Sequence, residues 1–167
     1  MAKTKVAPRG TGLRPSRTAL LLVAIAGLLV PGAAWAQREA GTVGTGFQVG
    51  SPGGLSLKWY RSAPIAYDAV ISTDGDDFAV AHVHRLWERP LPDSPLHLFI
   101  GPGLMGGAEK LDAPLRLRLG VSGEVGLNFY AERFEVFLHV TPTLRFLPDR
   151  DARLDGIVGL RYYFRSF

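Results

Sequence analysis

The residues most able to do chemistry are four histidines and a scatter of carboxylates and arginines in a chain of 167 residues with no cysteine. His82-Val83-His84 places two imidazoles at a spacing of two. On a strand both point to one face, about 7 Å apart. With His97, His139 or Glu124 they could begin a metal site. Hydrogen bonding inside a polar interior accounts for the same pattern without an ion, so no metal ligand is assigned. Glu124 and Glu135 could pair with Arg116, Arg118, Arg145 or Arg161 as a gate or proton relay, or as plain ion-paired filling, and the filling is the expected role. A lipid-modifying enzyme needs a Ser–His–acid set. His139-Val140-Thr141 offers Thr where the nucleophilic Ser belongs. There is no phosphate loop and no dinucleotide fingerprint. The sequence therefore predicts a non-enzyme, with no catalytic residue, no cofactor and no metal.

The elements that carry these side chains are legible from alternation. Between Leu115 and Phe129 the apolar residues Leu115, Leu117, Leu119, Val121, Val125, Leu127 and Phe129 are odd, and Arg116, Arg118, Ser122, Glu124 and Asn128 are even. From Phe134 to Phe146 the parity reverses: Phe134, Val136, Leu138 and Val140 are even, and Glu135, His139 and Arg145 are odd. Successive strand side chains point to opposite faces, so each run is a strand with one apolar and one polar side. Similar patterns predict eight strands, over about 42–50, 55–60, 65–73, 78–88, 96–106, 115–129, 133–147 and 154–164. Ser51-Pro52-Gly53-Gly54 and Asp74-Gly75 supply turn chemistry between them. Pro102 removes a ladder donor, which predicts a bulge or a weakly paired position there. Arg85 is a charge on an otherwise apolar face.

The charge balance is a targeting signature. Five of the 19 basic residues, Lys3, Lys5, Arg9, Arg14 and Arg17, lie in the first 36 positions, which contain no acid. The remainder holds 14 basic against 15 acidic residues, so a nucleic-acid partner is not expected. Residues 19–30 form an apolar run, Pro31-Gly32 ends it, and Ala34 and Ala36 are the small residues that a signal peptidase reads. Twelve apolar residues reach only about 18 Å, short of a ~30 Å hydrocarbon core. The expectation is a secretory signal peptide over 1–36, cleaved after Ala36, and a barrel domain over 37–167.

The direction of the faces decides the environment. Lys58, Asp68, His82, His84, His97, Arg116, Arg118, Glu124, Glu135, His139, Arg145 and Arg161 share the polar faces. They predict a lumen in which they pair with each other and with trapped water, with the apolar faces turned outward. The aromatics Trp59, Tyr67, Trp87, Phe129, Phe134, Tyr162 and Phe164 sit at those strand ends that an up-and-down order brings to one rim. Such a ring is the interfacial girdle of a membrane barrel. A soluble cup with an apolar interior would need the opposite orientation. The fold class is therefore all-β: a closed eight-stranded antiparallel up-and-down transmembrane β-barrel preceded by a cleavable signal peptide. An exported chain of that kind belongs in the outer membrane of a Gram-negative-type bacterium, as a monomer partnered by the lipid bilayer and, during insertion, by the assembly machinery.

With the strands placed, the chain resembles a family of small eight-stranded bacterial outer-membrane barrels. The resemblance rests on the Gly-rich strand and turn Gly44, Gly46, Gly50, Pro52 and Gly54, then Leu55, Ser56, Lys58, Trp59 and Tyr60. It rests also on His82, His84, Leu86 and Trp87, and on the ending Gly156, Gly159, Tyr162 and Phe164. It covers about 42–164. The ending is similar to the terminal-strand signal of outer-membrane proteins, with Phe167 as the other candidate terminal aromatic. The resemblance implies a fold of OmpA/OmpX-like or OmpW-like architecture and an outer-membrane location. It carries no activity, cofactor or site residue with it. The expected function is a structural or interaction role with a side-chain-filled polar lumen. The alternatives are a narrow channel or binding cup for a small apolar compound, suggested by Phe99, Phe137 and Leu147 on the polar faces, and, third, a lipid-modifying barrel enzyme.

Overall fold

The computed structural model describes residues 39–51, 53–73, 78–110 and 115–164. The expected signal peptide with Ala34 and Ala36, the Asp74-Gly75 turn and Phe167 lie outside the described residues. The chain forms β1 (Val43–Gly50), β2 (Gly54–Ser62), β3 (Ile65–Thr73), β4 (Phe78–Pro90), β5 (Leu96–Lys110), β6 (Leu115–Ala131), β7 (Phe134–Leu147) and β8 (Asp151–Phe164). Each strand pairs antiparallel with its sequence neighbours, and β8 closes on β1 from Val43↔Phe164 to Gly50↔Ile157. Closure leaves no unpaired edge. No helix occurs among the described residues.

Strand centres fall where alternation predicts, but several ends run further. β5 continues to Lys110, and β8 starts at Asp151, inside what reads as a charged loop. Alternation of apolar and polar residues marks only the part of a strand with two different environments. Beyond it a strand can be polar on both faces and resemble a loop.

At Pro102 the ladder behaves as a missing donor requires. Pairing between β4 and β5 lapses between His84↔Gly103 and Trp87↔Ile100 and resumes in the same register, without a bulge. Register shifts occur instead at Tyr60/Ser62 and at Leu119/Gly120. The second shift pairs Leu147 with Leu119 and leaves Leu147 43% exposed. Leu147 therefore does not join Phe99 and Phe137, which are buried in the lumen.

The barrel is apolar outside and polar inside. Leu57, Ile71, Leu104, Leu117, Leu138 and Val158 are all exposed, Leu104 to 67%. The buried set instead mixes Tyr60, Phe99, Tyr130, Phe137 and Tyr163 with lysine, arginine, histidine and carboxylates. An apolar-cored cup has the reverse arrangement.

Candidate functional site

The lumen carries two joined clusters and an open mouth. The first lies toward the rim formed by the β2–β3, β4–β5 and β6–β7 connections. Lys58 from β2 is fully buried and ion-pairs Glu88 of β4 and Glu135 of β7, the latter at 2.8 Å. The Tyr60 hydroxyl donates to Glu88 at 2.6 Å, and Asn128 Nδ2 donates to both Glu88 and Glu135 at 2.8 and 2.9 Å. Arg161 from β8 pairs Asp68 of β3, reaches Glu135 at 3.3 Å, and donates from Nε to Ser56 Oγ at 2.7 Å. Its guanidinium lies 3.8 Å from the Phe137 ring centroid. Five strands, β2, β3, β4, β7 and β8, are thus tied by ion pairs, and Asn128 adds β6. Buried charges persist in a low-dielectric interior only when paired and hydrogen-bonded, and these are.

The second cluster is centred on Glu124 of β6. His84 Nδ1 stands 3.1 Å from Glu124 Oε2, and His139 Nδ1 lies beside Oε1. His84 Nε2 is hydrogen-bonded to Ser122 Oγ at 2.9 Å. Glycine makes this possible: a Cβ on Gly103 would fall 2.1 Å from His84 Cδ2. Ser122, His84 and Glu124 follow the order of a hydrolase triad. A triad also needs substrate-sized space at the hydroxyl. The cavity at the lumen mouth, of about 220 Å³, is lined by His82, Met105, Arg118 and Arg145 among others, and by neither Ser122 nor His84. A second cavity, of about 460 Å³ beside Pro102 and Pro142, is lined by Ser122 and Glu124 but not by His84, so it does not bring the three together.

The residues expected in the lumen separate into three groups. Lys58, Asp68, His82, His84, His97, Glu124, Glu135, His139 and Arg161 are buried. Arg118 and Arg145 sit at the mouth, where they pair with Glu109 and Asp151. Arg116 is exposed, because β6 extends beyond the enclosed part of the barrel. The aromatics fall at one rim. Trp59, Trp87, Phe134 and Phe164 are exposed, and Tyr67, Phe129 and Tyr162 are half-buried. Trp59 stacks on Tyr67 at 5.7 Å, and Phe134 meets Tyr162 edge-on at 5.3 Å. Arg85 lies on the outer face with its guanidinium 4.8 Å from the Trp87 ring centroid. Glu88, Tyr60, Asn128, Tyr130, Tyr163 and Ser122 belong to the clusters but were not singled out in the sequence. Strand parity does place each of them inward; the tyrosines, Asn128 and Ser122 were hidden by their aromatic or uncharged character, and Glu88 by its place at a strand end beside the polar connection.

No protein-family model matches the sequence, and no curated protein matches it. Among solved structures the chain is similar to the N-terminal β-barrel domain of Pseudomonas aeruginosa OprF, at 12% identity and a TM-score of 0.58. The match covers 75% of this chain and 98% of that domain. The shared feature is the β-barrel fold.

Proposed function

We propose that this chain is a small outer-membrane barrel with a structural or interaction role, a filled lumen and no catalysis. The observation that carries this reading is the buried network of Lys58, Arg161, Glu88, Glu135 and Asp68, which crosses the lumen with every charged side chain paired. Eight strands enclose an interior about wide enough for side chains alone. The apolar outer wall and the aromatic rim support a bilayer as the surrounding medium and Gram-negative-type export as the route there. The OprF-like fold is consistent with that location. The chain acts as a monomer, and no nucleic acid is involved.

Single-channel recording on the purified protein tests the filled lumen. The expected trace shows no steady open level, and a large, stable conductance would overturn the reading. The absence of catalysis has its own test, since Ser122 is, among the described residues, a serine set against a histidine and an acid. A fluorophosphonate ester should leave the folded protein unlabelled. Labelling that disappears in Ser122→Ala would make the barrel an esterase-type enzyme.

A second reading is a shallow cup for a small compound, favoured by the cavity of about 220 Å³ at the mouth. Native mass spectrometry of the gently extracted protein would show a bound species. A clean spectrum of the chain alone would remove this alternative.

A further inference from the structure

We propose that Asp68, His84 and Glu124 form a binding site for one divalent transition-metal cation, with zinc as the probe of choice. The site lies in the middle of the lumen and would be reached from the mouth past His82, whose ring stacks against His84 at 6.0 Å. The sequence favoured plain hydrogen bonding for these histidines; three features of the geometry point to an ion instead.

The first is convergence. One donor atom from each of the three residues lies within 4.8 Å of the other two, and all three residues are buried. The separation of 3.1 Å between His84 Nδ1 and Glu124 Oε2 matches the edge of a tetrahedron with bonds of about 2.0–2.1 Å, roughly 3.3 Å.

The second is how each ligand is held. A metal-binding imidazole is typically oriented by a hydrogen bond at its other nitrogen. His84 is held this way, Nε2 on Ser122 Oγ, with Nδ1 turned toward Glu124 Oε2. Asp68 is gripped by Arg161 at Oδ2 while Oδ1 has no such partner. Each oxygen of Glu124 already faces an imidazole Nδ1, His84 at Oε2 and His139 at Oε1, which limits how the carboxylate can turn. Asp68 is fully buried, so bulk solvent does not reach Oδ1. Buried polar atoms in that state call for a partner.

The third is charge. Two cations, Lys58 and Arg161, face four carboxylates, Asp68, Glu88, Glu124 and Glu135, and none of the six is more than 2% exposed. A net charge of minus two in a dry interior is costly. One divalent cation cancels it. Mixed imidazole and carboxylate donors without thiolate suit zinc and its first-row neighbours better than calcium.

The competing account is that His84 and His139 each carry a proton and no ion binds. Zinc uptake separates the two. The protein, folded in detergent micelles, is equilibrated with zinc, dialysed, and analysed for metal content, with folding followed by the heat-dependent shift in gel mobility. The expected result is one zinc per chain, lost in Glu124→Gln and retained in His97→Gln, which lies outside the site. Should Glu124→Gln fail to fold, Ser122→Ala leaves all three ligands and frees the His84 ring; zinc affinity should then fall about 10–100-fold. Cobalt in the parent protein gives a readout that needs no variant: visible ligand-field bands of a low-coordinate site, abolished by zinc. No stoichiometric metal in the parent, cobalt without those bands, or affinity unchanged in both folded variants would overturn the proposal.

Discussion

Arg161 ties together several parts of the interior. It meets Asp68, Glu135, Ser56 and the Phe137 ring from a single position on β8. Arg161→Met would leave two carboxylates buried with reduced pairing, and one uncompensated buried charge costs about 3–5 kcal/mol. The expected outcome is a loss of that size in urea unfolding from lipid vesicles; a change below 1 kcal/mol would show that water already bathes the site. Gly103 supports the neighbouring cluster by what it lacks. Gly103→Ala brings a methyl carbon to 2.1 Å from His84 and 2.5 Å from the Val83 carbonyl oxygen, and the second atom is backbone, which yields little. Overpacking of this kind costs about 1–3 kcal/mol. The same urea titration should show it, and a neutral result would mean that β4 and β5 can part locally where Pro102 already interrupts them.

At the level of the strands, the two faces make opposite demands. Leu104 is the clearest outward position on β5. Leu104→Arg should cost about 2–4 kcal/mol in a bilayer if it lies near the midplane, and almost nothing if the outer wall faces water. Folding yield into vesicles decides between them. Trp59 and Trp87, the tryptophans beyond position 36, stand on the aromatic rim. Lipids brominated near the headgroup should quench their fluorescence more than lipids brominated near the chain end, and the reverse would displace the rim from the interface. How much could be read in advance follows from the same division. Strand number, face and parity were legible because outer-face and lumen-side residues differ at every second position. The ends of β5 and β8 were not, since Glu109, Asp151 and Arg153 look the same in a strand as in a loop. Partners across the lumen were not legible either. Lys58–Glu88 spans 30 residues and Arg161–Ser56 spans 105. Those meetings depend on how far each strand slides against the next, and the register shifts at Tyr60/Ser62 and Leu119/Gly120 are marked only by Ser62 and Gly120, residue types that recur elsewhere in the strands without a shift.

For the molecule as a whole, the ring of strands closes between the first and the last, β1 and β8. The last strand is also the source of Arg161, one of two buried cations. A chain stopped at Arg150 would keep all four buried carboxylates and only Lys58 to face them. Such a chain should remain wide open to protease in the presence of lipid, whereas the full chain becomes resistant; equal resistance would show that β8 is dispensable for sealing. The interior thus works as a tally of completeness. Every strand but the last can be present and the charge of the interior still stays unbalanced, so a copy cut short in synthesis keeps carboxylates that nothing on its own chain can neutralise. What distinguishes a finished copy from an unfinished one is written into where a single guanidinium sits along the chain.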